Sequence, residues 1–315
     1  MKNLSMILLF MSMSYQFLGN CLCEYQVYHG LIAQAEIHII KEEFPLALQA
    51  YQKAFSQSDG FAKDYINATT TAAKSNDTSQ VFHFLEEAVK HGMPPKHFKR
   101  FGRGKLFQAY HPMAKWTWLK RNYDSLYSLS VPNPLILEQL KKSHQRDQRH
   151  RSFPFTLKIF DKVAQRKGDK DYTNLLAIID SIGYPGQHLV GNAPYLAMAF
   201  YPLILMIHHK FPDGRESATR NKLFEEYCKG NLETKDMAWI IDRQNLINGQ
   251  DEEYGTVFLR SIYNHHGMNR ENYPPLFEHW DQDKINEVNK ARMKLGLLTI
   301  EDASSLQKKG LFTGF

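Results

Sequence analysis

The sequence predicts a mainly α-helical fold: helical hairpins followed by an α-helical domain with a small β-hairpin. Three observations predict it. Apolar residues recur at helical spacing through most of the 315 residues. Near the N-terminus a set of large and small residues reappears at a fixed interval, and from about residue 135 short polar motifs are strung between core-forming helical stretches. A hydrophobic content of 43% over 315 residues supports roughly two packed domains.

Residues 1–22 read as an export leader, in which Lys2 precedes the short apolar run Met6 to Leu18 and Gly19-Asn20-Cys21-Leu22-Cys23 follows. The run is shorter than the roughly 20 residues of a membrane span. Leu18-Gly19-Asn20-Cys21 resembles a bacterial lipoprotein cleavage box, with Cys21 as the lipid-bearing residue. Asn20 stands where a small residue is usual, so ordinary cleavage near Cys21 or Cys23 is the equal alternative. The expected location is the periplasm or cell envelope, with any membrane attachment through Cys21. Because Cys228 is alone in the body of the chain, no disulfide framework is expected.

In residues 24–130, Phe44, Ala47, Tyr51 and Ala54 take the large-small-large-small places of a packing helix, and 34 residues later stand Thr78, Val81, Leu85 and Ala88. That period is the one of tetratricopeptide helix pairs, with Leu31–Ile40 and Phe44–Phe55 as one unit and Asp64–Ala73 and Ser79–His91 as the next. Two ordinary amphipathic hairpins of equal length would satisfy the same positions. Two units are fewer than an independent stack needs, so the segment after Pro94 and Pro95 is expected to cap them or dock them on the second domain. The implied partner of such an arm is a protein or peptide.

The net charge of +6 is concentrated in this region. Between Glu87 and Asp124 there is no acidic residue, while Lys90, Lys96, Lys99, Arg100, Arg103, Lys105, Lys115, Lys120 and Arg121 stand among Phe98, Phe101, Phe107, Tyr110, Trp116 and Trp118. Basic residues interleaved with aromatics are one form of nucleic-acid surface. No nucleic-acid fold signature accompanies them, so nucleic acid is not the expected partner. A solvated basic face, an acidic partner or an anionic envelope surface fits better.

The second domain is placed at 131–315. Leu135, Leu137 and Leu140 restart the helical period, and Phe155–Ala164 and Tyr172–Ile182 continue it, with Gly183 and Pro185 as the stop. Asn192 and Pro194 suit the start of a helix whose residues Ala193 to Ile207 carry no charge, which predicts a buried central element. Glu216–Cys228 and Thr234–Leu246 are amphipathic. Thr256–Leu259 and Tyr273–Phe277, flanking Gly267, predict the hairpin, and Asp283–Leu295 a last helix.

Five polar motifs interrupt this pattern: Asp147-Gln148-Arg149-His150-Arg151, Gly183-Tyr184-Pro185-Gly186, Val190-Gly191, Asp242-Arg243 and Tyr254-Gly255-Thr256. With Asp171, Asn174, His208 and Asn289-Lys290-Ala291-Arg292, their order resembles that of a bacterial family of unknown function whose pattern runs Asp-Gln-x-x-Arg, Asp-x-x-Asn, Gly-Trp-Pro, Val-Gly, Gln-His-Ala, Asp-Arg and Tyr-Gly-Thr-Gln. The resemblance covers about residues 135–300 and implies a shared fold. It carries no activity. Ile207, Glu252 and Val257 stand where that pattern has Gln, and Tyr184 where it has Trp.

As chemistry, Asp147 and Arg151 share a helix face, whereas adjacent Asp242 and Arg243 point about 100° apart and need different partners. Asp147, His208 and Asp242 are the candidate acid-base residues. Gln148, Arg151, Asn174, Arg243, Tyr254 and Thr256 are the candidate ligand contacts, the arginines for an anion. A buried network of structural ion pairs explains the same residues. His208-His209 and His265-His266 supply metal-ligand types without ligand spacing, so neither metal nor cofactor is expected. These residues support two functions: an exported binding or scaffold protein, or a hydrolase using Asp147 or His208 as base with Arg151 and Arg243 holding an anionic substrate.

Overall fold

A computed structural model describes residues 23–151, 158–191, 200–208, 210–211, 216–256 and 280–308. It is mainly helical, with no strand among the described residues. The leader, the expected hairpin beyond Thr256, and the first part of the charge-free helix lie outside the described residues, and Thr256 itself is helical.

The chain begins with α1 (Glu24–Ile40), α2 (Phe44–Gln57), α3 (Ala62–Lys74) and α4 (Thr78–Lys90), which pack as two antiparallel pairs, α1 on α2 and α3 on α4. The 34-residue interval read from side chains is repeated by the backbone. In the first turn the N–H groups of Lys41, Glu42 and Glu43 donate to the carbonyls of Ile37, Ile39 and His38; in the second, those of Ser75, Asn76 and Asp77 donate to Thr71, Ala73 and Ala72. Glu42 (φ 63°) and Asn76 (φ 58°) are the left-handed residues that let each chain reverse. This is the Schellman closure, which satisfies the carbonyls a helix end leaves open. Asn tolerates that conformation through its short amide; Glu does so at a cost of roughly 1 kcal/mol. Ala47, Tyr51, Ala54, Val81, Leu85 and Ala88 are all fully buried, so three of the four predicted repeat pairs form the contact surface.

α3 is enclosed on nearly every side. Its Thr69, Thr70 and Thr71 hydroxyls donate to the carbonyls of Tyr65, Ile66 and Asn67 one turn earlier, which lets a polar sequence lie inside without unmet donors. After Pro94, α5 (Pro95–Arg103), a 3-10 turn (Lys105–Tyr110) and α6 (Ala114–Ser128) cover the second hairpin, α6 lying on α4.

The second half contains α7 (Pro134–Arg151), α8 (Lys158–Ile182), the short α9 (Gln187–Val190), α10 (Phe200–His208), α11 (Glu216–Cys228), α12 (Thr234–Ile247), α13 (Gln282–Lys294) and α14 (Ile300–Lys308). α10, whose Leu203, Leu205 and Met206 are fully buried, packs against α7, α8 and α12, as its lack of charge predicts. The described chain does not finish with the helix near residue 295. α14 follows it and returns to pack on α1, and Leu298, Ile300, Ala303 and Leu306 enter the core of the N-terminal hairpins.

One expectation is overturned. Cys228 is not alone: it is disulfide-bonded to Cys23 across 205 residues, with Cα atoms 5.4 Å apart. In sequence the two have no spacing relation; only the docking of α1 on α11 brings them within bonding geometry. Closing a loop of that length is worth up to about 5 kcal/mol in unfolded-chain entropy.

Candidate functional site

The motif residues are built first into structure. Asp242 on α12 is fully buried. Its Oδ1 accepts the N–H groups of Glu253 and Tyr254 at 2.7 and 2.8 Å, and its Oδ2 accepts the N–H and hydroxyl of Thr256 at 2.8 and 2.6 Å. Burial pushes this carboxyl above its ordinary range, and the four donors pull against that. From the other side the buried Arg292 donates to the Tyr254 and Leu298 carbonyls. Asp242, Tyr254 and Thr256, predicted as site residues, thus meet in one knot that shapes residues 253–256. A carboxylate holding four donors is poorly placed to act as a base.

Arg243 faces elsewhere, as its position on the helix requires. Its Nε donates to the Ile207 carbonyl at 3.4 Å, and Gln244 bridges the same turn, donating to Met206 O and accepting from Phe211 N, both at 2.9 Å. Both side chains close the open end of α10. Asp147 is buried on α7 and accepts Gln148 Nε2 at 3.0 Å. Asn174 is partly exposed on α8, and one turn earlier Asp171 takes Arg146 and Ser143. The side chains of Arg151 and His208 lie outside the described residues. α10, which ends at His208, packs between the helices carrying Asp147 and Asp242.

The glycine motifs have a steric cause. Gly183 (φ +92°) ends α8 where a Cβ would strike the Glu226 carboxylate, and Gly191 (φ +82°) where one would strike the Ser130 carbonyl. Glu226, fully buried, accepts Tyr184 N at 2.7 Å, Asn231 Nδ2 at 2.8 Å and Lys229 Nζ at 2.8 Å.

A second polar group lies at the seam between the hairpins and the second half, and the sequence did not single it out. Lys63 pairs with Glu233, Tyr28 donates to Asp64 at 2.7 Å, Gln187 Oε1 accepts the N–H of Ala62 at 3.2 Å, and the Tyr25 hydroxyl meets His188 Nε2 at 3.2 Å. Glu36, Lys63, Lys235 and Arg292 line a cavity of about 60 Å³, room for a water or two. Burial, with Asp64 beside it, pushes Glu36 up to about 7; burial, with Glu233, does the same to Asp236; burial, with Lys63, brings Lys235 down to about 8. Burial opposes the charges of both Lys63 and Glu233, yet neighbouring opposite charges prevail and hold Lys63 above and Glu233 below their ordinary ranges. Lys63 and Glu233 neutralise one another, while burial holds Glu36 and Asp236 toward their uncharged forms. Nothing local in Glu233-Thr234-Lys235-Asp236 separates it from a solvated helix start, so no sequence signal could have found this group.

An open concavity lies elsewhere among the described residues. α5 and α6 form a concavity of about 610 Å³, within the usual size of a ligand pocket. Lys99, Arg103, Lys120 and Arg121 line it, all exposed and none with an ion pair or hydrogen bond among the described residues. Its floor is Phe98 stacked on Trp116 at 5.6 Å, with His111 against Trp116 at 4.6 Å. Nε2 of His111 is buried without a hydrogen-bond partner. The local potential is felt nearby: burial, then Arg100 and Lys96, lowers the His97 pKa. The basic-aromatic run was read from sequence, but its concave form was not. Among the described residues no group of His, Cys, Asp and Glu is arranged to hold a metal ion, and no helix is long and apolar enough to cross a membrane. Searches against family models, curated proteins and solved structures found no match to the chain.

Proposed function

We propose that this is an exported binding protein with a tetratricopeptide-like arm, and that it takes an anionic ligand at the basic pocket of α5 and α6. The observation that carries the reading is the contrast in partnering: four cations stand unpaired around a ligand-sized hollow, while Asp242, Arg243 and Arg292 of the motifs are committed to neighbouring groups. A pocket lined by one sign of charge focuses the field and concentrates an opposite ligand. The 34-residue interval of turns and buried positions supports the repeat reading, and the resemblance over residues 135–300 is consistent with motifs that build a fold.

The first helices of the two hairpins carry the seam to the second half, through Tyr25, Ala62, Lys63 and the Cys23–Cys228 bond. A peptide partner at that face would compete with the chain itself, which moves the ligand to the segment covering the second hairpin. The disulfide supports export, since such bonds persist in oxidising compartments. The hydrolase alternative, with Asp147 or His208 as base, is less favoured, because Arg243, one of the two cations it assigns to the substrate, is bonded to the Ile207 carbonyl.

Isothermal titration against phosphate, sulfate, citrate and short acidic peptides tests the reading. Saturable binding of at least one anion, weakened about tenfold or more by Arg103→Ala with Lys120→Ala, is expected. Absence of binding by every anion would overturn it.

A further inference from the structure

Resting on that reading, we infer that the ligand of the α5–α6 pocket carries phosphate monoester groups, as a small phosphorylated molecule or as a lipid headgroup. Charge and donor chemistry both point there. A phosphate monoester bears about −1.5 to −2 at neutral pH, so two such groups balance the four cations of Lys99, Arg103, Lys120 and Arg121. Two guanidiniums offer bidentate donors to phosphate oxygens, and two ammoniums add mobile point charges. The Thr117 hydroxyl and the unpartnered His111 Nε2 supply further polar groups at the wall. At about 610 Å³ the hollow is far larger than one inorganic anion and suits a molecule of sugar-bisphosphate size.

The aromatic floor argues against a nucleic-acid strand. Stacking platforms must present a free ring face to each base. Here Phe98 and Trp116 are 8% and 5% exposed and stack on one another, with His111 on Trp116, so they serve as a wall. A compact hollow also suits a discrete ligand better than an extended acidic peptide.

The full mature protein, disulfide intact, is titrated with a hexose bisphosphate, citrate and sulfate, and separately with vesicles of neutral lipid containing either phosphatidic acid or phosphatidylglycerol. The Trp116 fluorescence and sedimentation report binding. Preference of tenfold or more for hexose bisphosphate over citrate and sulfate supports the proposal with a soluble source. The same preference for phosphatidic acid over phosphatidylglycerol supports it with a lipid source. Either preference is expected to fall at least tenfold in Arg103→Ala with Lys120→Ala, and in Thr117→Trp, which fills the hollow without changing charge. Lys41→Ala with Lys53→Ala, removing two charges from the first hairpin, leaves it unchanged. Equal binding of citrate, sulfate and bisphosphate, with no lipid preference, overturns the phosphate assignment while leaving the anion-binding reading in place. No binding in any arm overturns both.

Discussion

The seam between the hairpins and the second half, and the pocket of α5 and α6, both gather lysine and arginine side chains, with opposite results. At the seam Lys63 meets Glu233, Tyr25 meets His188, and acids and bases close around a cavity of about 60 Å³. In the pocket four cations surround a hollow about ten times larger with no acid to meet them. The difference teaches how to separate charge committed to the fold from charge left open in this molecule. Burial makes an unpaired charge intolerable, so interior groups are either paired, as Lys63 is with Glu233, or shifted toward neutrality, as Glu36 and Asp236 are. Exposed cations can stand unpaired at little cost to folding, which leaves them available to a ligand.

The strongest way to break this comparison is to cut the covalent tie across the seam. Reduction of Cys23–Cys228, or Cys23→Ser with Cys228→Ser, is expected to lower unfolding free energy by about 4 kcal/mol in urea titration. A loss below about 1 kcal/mol would mean that the two halves are held by packing alone. Next is Asp242→Ala, which leaves three backbone N–H groups and a hydroxyl unmet and is expected to cost about 3 kcal/mol or more. Paired with it, Arg103→Ala with Lys120→Ala is expected to change stability by less than about 0.5 kcal/mol. If the pocket variant were the more damaging of the two, the division between charge committed to the fold and charge left open would be wrong.

A change of pH sharpens the same contrast. Glu36 and Asp236 have folded-state pKa values raised to about 7, so between roughly pH 4.5 and 7 the folded chain binds more protons than the unfolded one. Stability contributed by these two groups is present at low pH and declines as pH rises through 7. The Glu36→Gln variant should flatten that decline between pH 5 and 8, and an unchanged slope would remove Glu36 from the seam's titration. The smallest effect belongs to the repeat turns. Glu42→Gly relieves a left-handed glutamate and is expected to gain up to about 1 kcal/mol, while Asn76→Gly gains less because Asn already suits that conformation. Equal gains at both would show that the two turns differ less than their residues suggest.

Local patterns were legible where one stretch of chain carries the whole message. The packing positions of α2 and α4, the stop at Gly183, the charge-free α10 and the basic run of residues 90–121 all come from spacing within one or two helices. The separate aims of Asp242 and Arg243 arise in the same way, from the angle between adjacent helical residues. The tasks of those side chains were harder to see. Asp242 reads equally as a base or as a clamp until the backbone of residues 253–256 is laid against it. Glu226 and the seam residues stand in ordinary amphipathic or helix-start settings and carry no pattern of their own.

Periodicity and composition, which depend on neighbours along the chain, were enough to determine the helical class, the 34-residue interval, the buried helix and the location of the positive charge. Tertiary structure decided the rest: the bond between Cys23 and Cys228, the return of α14 to α1, the neutralised seam and the hollow among the cations. Each of those joins residues far apart in sequence. Whether a charge is paired, sealed or left open depends on what folding brings beside it, and no local spacing specifies that.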